Sequence, residues 1–448
     1  MPFADLIPKS PRRICAGFSL LCLAACSASG GRPAADPRCD QGDGGITLPP
    51  GFCASIFADE VGVARHLVVT PTGDVYVALE NGNKSSANST RMRGPKGRGG
   101  MVALRDTDSD GRADIITRHV GDGSNSGIAL REPWLYVSSV TSVLRYRLAP
   151  RSLSPVGPPD TVVTGFPDTG GHSSRSLALD DSGNLFVNLG SDTNACWSAG
   201  TSGIPHGLDP CEELEVRAGI WRFDPGRLHQ VYDVSQRYAT GIRNAVGLAW
   251  NSSLHALYAT QHGRDGLHQN YPKLYSTAKG NDTPSEELLK VDAGDNFGWP
   301  YCYHDRVLGR RVVAPEYGGD ARNGDRCANM KLPVLAFPGH WGPDGLLFYQ
   351  GTQFPARYRN GVFIAFHGSW NRIGQQEGYK VVFVPLTDGV PGNPPETFAD
   401  GFAGGHMDPG GADHRPVGLA EGPDGAMYIT DDQRGRIWKV IYIGVTPR

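Results

Sequence analysis

The chain is 448 residues long and carries 60 Gly and 34 Pro, together about a fifth of its length, against an ordinary usage of roughly 7 % and 5 %. That excess falls between short apolar runs, which excludes a helical bundle or a coiled coil, and 39 % hydrophobic residues exclude global disorder. With 43 Lys plus Arg against 46 Asp plus Glu, the formal net charge is −3, and no basic footprint for nucleic acid exists.

At the N-terminus, Lys9, Arg12 and Arg13 precede an apolar run over residues 14–25. The run suits a signal-peptide core and is too short to span a membrane. It ends in Leu23-Ala24-Ala25-Cys26, which resembles a bacterial lipobox. Residues 1–25 are therefore expected to be removed and Cys26 to carry lipid, making the chain an exported, periplasmic or cell-envelope lipoprotein. An unlipidated signal peptide cut nearby is the alternative. Residues 26–45, rich in Gly, Pro, Ala and Asp, read as a flexible tether.

Of nine cysteines, Cys15 and Cys22 leave with the signal. Six others stand as near neighbours: Cys39 with Cys53, Cys196 with Cys211, Cys302 with Cys327. An even count in an oxidising compartment predicts disulfides, and local pairing is the simplest connectivity. No CxxC or Cys/His spacing suggests zinc.

One unit then recurs: an apolar strand, a Gly/Asp/Asn turn, and a second strand with an aromatic followed by Val or a similar residue. Its plainest copies are residues 67–79 (LVVTPTGDVYVAL), 177–189 (LALDDSGNLFVNL), 248–260 and 418–430. A weaker copy spans 127–138 and an elongated one 346–366. Further strands follow at 219–225, 379–386 and 435–443. Four strands per unit and six units predict an all-β, six-bladed β-propeller over residues 46–443. Residues 52–57 are expected to complete the last blade beside 435–443. No helical-period segment of useful length stands out, and the recurrence argues against a pair of β-sandwiches.

Function must then come from loops around the propeller's channel. Asp106, Asp108 and Asp110 have the spacing of a calcium loop, but the twelfth position is Thr117, so this is no EF-hand. A surface calcium site and a plain acidic turn both fit. Gly170-Gly171-His172-Ser173-Ser174-Arg175-Ser176 offers an imidazole able to act as a general base, or an ordinary loop histidine. Thr240-Gly241-Ile242-Arg243-Asn244 offers a planar guanidinium and an amide for a rigid ligand, or a structural ion pair. Gln261-His262-Gly263-Arg264, Ser285-Glu286-Glu287-Leu288, Phe366-His367-Gly368-Ser369-Trp370-Asn371-Arg372 and His414-Arg415-Pro416 complete the set.

Taken in order, these segments resemble the glucose/sorbosone dehydrogenase family, over about residues 46–443. Leu48-Pro49-Pro50-Gly51-Phe52, Ala64-Arg65-His66-Leu67 and the His367 to Arg372 segment are most similar to its sorbosone and pyranose dehydrogenase branch. The resemblance implies an exported six-bladed propeller that uses pyrroloquinoline quinone (PQQ) and calcium to oxidise sugars. It implies His172 as general base, with Arg243 and Asn244 at the quinone edge. The carbonyls of Gly263 and Arg264 would hold calcium, and Arg65, His367, Trp370, Arg372 and Arg415 would contact the cofactor. Electrons would pass to an external cytochrome or quinone, and no CxxCH haem motif occurs in this chain.

The chain departs from the soluble glucose dehydrogenases at Gly171, where an Asp is usual, and at Val417, where a second Arg is usual. His340 replaces a Thr, and Trp341-Gly342-Pro343-Asp344 differs from the Ala-Pro-Leu run of sorbosone-type members. Two other readings stand beside the dehydrogenase: a calcium-dependent lactonase-type hydrolase, and a non-catalytic binding propeller. Substrate specificity is expected from the loops at 81–99, 195–216 and 301–329.

Overall fold

The computed structural model describes residues 36, 38–81, 99–119, 126–168, 170–199, 205–408 and 410–444. The signal peptide, Cys26 and most of the tether lie outside the described residues, as do 82–98 of the first specificity loop and 200–204 of the second.

Six blades of four main antiparallel strands form in chain order: 63–119, 128–164, 177–240, 248–337, 343–399 and 416–442; blade 2 gains the short parallel strand Gln230–Val231 and blade 5 the short strand Val390–Pro391. The sixth has only three strands from its own segment. Phe52–Ala58 supplies the fourth, pairing antiparallel with Ile437–Tyr442. The predicted closure is thus present, with the N-terminal strand as the end strand of the last blade.

The aromatic of each repeat explains why the pattern recurs. Tyr76, Tyr136, Phe186, Tyr258, Phe363 and Tyr428 each lie opposite an apolar residue of the preceding strand, which is Ala in four blades, as in Ala178↔Phe186 and Ala420↔Tyr428. A small partner leaves the ring room to reach into the gap before the next blade. Period-two alternation sends its neighbours the other way: Val75, Val77 and Leu79 pack toward blade 6, Tyr76 and Ala78 toward blade 2. Six apolar clusters result, one in each interface between adjacent blades.

Hydroxyls near the channel tie neighbouring blades together. Thr260 Oγ1 donates to the Pro343 carbonyl and Thr430 Oγ1 to the Arg65 carbonyl, both at 2.6 Å. The same hydroxyls accept from the amides of Gly247 and Gly418. A Cβ there would stand 2.4 or 2.8 Å from the hydroxyl oxygen, which is why each position is glycine.

Residues 38–45, read as part of the tether, are packed instead of flexible. Asp40 Oδ2 accepts from the Ile56 amide at 2.6 Å, and the Gly44 carbonyl accepts from the Trp438 indole at 3.1 Å. The physical reason is the Cys39–Cys53 disulfide, which fastens this stretch to the closing strand. Cys196–Cys211 and Cys302–Cys327 are likewise formed. The longest α-helix among the described residues is Thr277–Asp282.

Candidate active site

One open cleft of about 240 Å³ collects chemistry from several blades, with walls that include His172, Arg243, Gly263, His340, His367 and Trp370. Five of these were expected site residues. His340 was noted only as a departure from a related pattern.

His172 sits on the loop entering blade 3, and that loop is held from behind. The buried guanidinium of Arg175 donates to the carbonyls of His172, Pro167 and Val140 at 2.8–3.1 Å. The imidazole Nδ1 lies 2.9 Å from both the carbonyl and the hydroxyl of Ser191. A carbonyl can only accept, and Ser191 Oγ donates its own hydrogen to the Thr193 carbonyl at 2.7 Å. Nδ1 therefore carries the ring proton, and Nε2 is the bare nitrogen. Burial, and then the charge on Arg243, push the ring's pKa down to about 3, so it is neutral at physiological pH.

Arg243 is buried and fully engaged. Its Nε and Nη2 donate to the carbonyl and side-chain oxygens of Asn194 at 3.1 and 3.0 Å, Nη1 to the Gly263 carbonyl at 2.9 Å, and Nη2 to Asp265 Oδ2 at 2.9 Å. Asn244 does not line the cleft. Its carbonyl accepts from the His262 amide at 3.0 Å, and its side chain lies beside Asn188 in the interior. Gly263 lines the cleft, and its carbonyl keeps one lone pair beyond the Arg243 bond.

The remaining expected arginines stand behind the cleft and are absent from its described lining. Arg65 is buried between blades, donating to Asp432 at 2.7 Å and Asp344 at 3.4 Å. Arg415 donates to the carbonyls of His367 and Gly368 at 3.2 and 2.8 Å. Arg372 donates to the carbonyls of Asn281 and Gly339 and pairs with Glu377. Arg264 forms a buried ion pair with Glu316. In each case the cation is tied to protein acceptors.

His367 Nε2 bonds the Asp432 carboxylate at 2.9 Å. Burial works to raise Asp432, but the charges of His367 and Arg65 outweigh it and hold the carboxyl near 2. His340 has φ +68, an uncommon backbone for a side chain of this size. Its Nε2 lies 3.0 Å from the Gly280 carbonyl and its Nδ1 3.3 Å from Asp265 Oδ1. Both partners only accept, which favours the doubly protonated ring. Burial opposes this, but the bond to Asp265 and its charge outweigh burial and raise the pKa.

Two acids in the lining were not singled out from the sequence. Asp265 is held below the usual carboxylate range because Arg243 and His340 outweigh burial. Glu286, fully buried and accepting from the amides of His340 and Gly263, is pushed by burial up to about 7. Asp265 directly follows the Gly263-Arg264 pair and Glu286 lies in the quoted Ser285–Leu288 segment, so position along the chain was the available signal.

The acidic loop in blade 1 differs from expectation. Asp106, Asp108 and Asp114 converge, with Asp114 in place of Asp110. Asp110 instead accepts from the Arg112 amide at 2.8 Å, and Asp106 from the amides of Ser109 and Gly111. The loop's own amides thus engage Asp106 and Asp110 as in a turn.

The TrAA12-like family profile matches residues 46–442. A calcium structure of the carbohydrate-active enzyme family AA12 protein of Trichoderma reesei superposes with a TM-score of 0.71 at 18 % identity, covering 90 % of this chain and 99 % of that one. The holo PQQ domain of a pyranose dehydrogenase from Coprinopsis cinerea gives 0.68 at 19 % identity, covering 88 % and 97 %. In sequence, a pyrroloquinoline quinone-dependent pyranose dehydrogenase of Coprinopsis cinerea is 26 % identical over 303 residues, 57 % of this chain and 37 % of that protein. The chain spans from 37 % to 61 % of the length of the curated relatives it matches. The propeller with its histidine- and arginine-lined cleft, matched by the profile over residues 46–442, belongs to the TrAA12-like family.

Proposed function

We propose that this chain is an exported PQQ- and calcium-dependent dehydrogenase that oxidises a sugar of the aldose, sorbosone or pyranose type. Electrons would pass to an external acceptor, a cytochrome or quinone, and Cys26 would anchor the protein to a membrane through lipid. Three formed disulfides support export to an oxidising compartment.

The observation that carries the reading is the neutral His172, with its bare Nε2, beside Arg243 in the cleft. The lining also fits a flat, anionic cofactor. Gly342, at φ +67, would place a Cβ no nearer than 3.6 Å to any neighbouring atom, so a flat ring can approach the backbone there. The indole of Trp370 is 49 % exposed, and His340, held toward its protonated form by Asp265, stands in the same lining. A hard cation such as calcium takes oxygen ligands, and the carbonyls of Gly263 and Arg264 are the candidates. When bound, PQQ and calcium would supply the hydride acceptor and its Lewis acid.

The protein's own part is proton handling and positioning. His172 Nε2 takes the proton of the substrate hydroxyl as the C–H bond breaks. Arg243 presents fixed positive charge beside it, while Arg65, Arg372 and Arg415 hold the cleft walls. A lactonase-type hydrolase with a side-chain-held metal is disfavoured. Among the described residues no three His, Cys, Asp or Glu ligand atoms converge in this cleft.

The test is to load the full chain with PQQ and calcium and follow dye reduction with aldoses, sorbosone and polyols. Cofactor-dependent sugar oxidation is expected. Absence of PQQ binding by absorbance or calorimetry contradicts the reading, and lactone cleavage without PQQ points to the hydrolase.

A further inference from the structure

Asp265 receives groups from three other parts of the propeller. Its Oδ2 accepts from Arg243, at the entrance to blade 4. Its Oδ1 accepts from the side-chain amide of Asn371, after the second strand of blade 5, and lies 3.3 Å from His340 Nδ1, just before that blade. All four residues line the cleft. The backbone of Asp265 is itself fixed, its amide donating to Asn194 Oδ1 at 2.8 Å and its carbonyl accepting from Asn194 Nδ2 at 2.9 Å.

The chemistry of the partner orients the Asn371 amide. The side-chain NH2 of Asn371 donates to Asp265 Oδ1, so the Oδ1 of Asn371 is turned to the other side. No described residue donates to that oxygen. The loop that carries it is rigid: the buried Gln376 side chain accepts from Ser369 Oγ at 2.9 Å and donates to the Arg372 carbonyl at 2.8 Å. A fixed, unpartnered acceptor in a cleft lined by histidines and an arginine is suited to a hydroxyl donor.

We propose that Asn371 Oδ1 accepts a hydrogen bond from a hydroxyl of the bound sugar, one other than the hydroxyl being oxidised. Asp265 is the positioning residue that orients this amide and the Arg243 guanidinium together. This rests on the reading of the cleft as a sugar site and adds to it a residue that selects among sugars.

The test is an analogue cycle on the full chain loaded with PQQ and calcium. Sugar affinity is measured by calorimetry and turnover by dye reduction. Wild type, Asn371→Ala and Asp265→Asn are each compared on the preferred sugar and its singly deoxygenated analogues. For Asn371→Ala the expected result is an affinity loss and KM rise of about tenfold, with kcat within about threefold and an unshifted melting temperature. One deoxy analogue should lose about tenfold in wild type and nothing further in Asn371→Ala. Asp265→Asn should abolish the same discrimination and also lower kcat, through Arg243.

If every analogue loses as much in Asn371→Ala as in wild type, the proposal is overturned while the dehydrogenase reading stands. If the cycle closes as expected by calorimetry but no sugar is oxidised, the dehydrogenase reading fails and the hydroxyl contact stands. Absence of any sugar binding to wild type overturns both.

Discussion

His172 Nδ1 lies 2.9 Å from Ser191 Oγ, and the proton on that nitrogen belongs to the histidine. The serine hydroxyl orients the ring without adding charge, and the bond to the Ser191 carbonyl offsets burial and Arg243 only in part. With a pKa near 3, His172 contributes no acid limb to kcat/KM between pH 5 and 8. Ser191→Asp would place an anion at the same nitrogen and raise the pKa toward neutrality. A limb falling about tenfold per pH unit should then appear on the acid side. A pH–rate profile identical to wild type contradicts this assignment.

Glu286 gives the opposite sign in stability. Its folded pKa of about 7 lies above the ordinary 4.5. The associated stability is complete below pH 4.5 and is lost as pH rises through 7. Glu286→Gln cannot ionise, so its melting temperature relative to wild type should improve from pH 5 to about pH 7 and level off above that. The measurement is thermal unfolding in chelator across that range. A constant difference between the two proteins would show that Glu286 does not titrate there.

The disulfides separate stability from function. Cys39–Cys53 and Cys196–Cys211 close loops with sequence separations of 14 and 15, so removing either costs about 3 kcal/mol of chain entropy. Only the second closes the loop next to Asn194, which accepts two hydrogen bonds from Arg243. Both double-serine variants should melt lower by similar amounts, and Cys196→Ser/Cys211→Ser alone should also lose turnover at temperatures where both are folded. Equal turnover losses would mean that the Asn194 loop is not specially coupled to the site.

Gly342 and Gly368 both have positive φ and both line the cleft, yet alanine should act differently at each. At Gly368 a Cβ would meet the Tyr379 ring at 2.0 Å, so that variant should fail to fold stably. At Gly342 it would enter the open cradle, with a backbone strain of about 1 kcal/mol. Gly342→Ala should therefore melt only slightly lower and bind PQQ at least tenfold more weakly, read by absorbance titration. Unchanged PQQ affinity would place the cofactor elsewhere.

The six repeats were legible because each carries one aromatic opposite an apolar residue, which is Ala in four of them, and period-two alternation, all local features. The closing strand and the three cysteine pairs were equally legible, the first from its apolar pattern beside the last repeat and the second from spacing. Within the site, His172 and Arg243 stood out as residue types with chemistry in glycine-marked loops. Asp265, His340, Ser191 and Asn371 were not assigned roles, because theirs depend on residues up to 106 positions away meeting at one carboxylate or one ring nitrogen. Arg65, Arg372 and Arg415 show the converse. Their sequence context matched a cofactor-binding pattern, and in the folded chain nearby carbonyls and carboxylates engage several of their donors, which sequence could not show. The packed stretch 38–45 was missed because its order comes from a disulfide and blade 6, not from its own composition.

The most direct test of the account is His172→Ala in the full chain, reconstituted with PQQ and calcium beside wild type. The variant should bind PQQ with wild-type affinity by absorbance titration and reduce dye with its best sugar 10²- to 10⁴-fold more slowly, the range expected for a lost general base. Sugar oxidation at the wild-type rate would contradict the account.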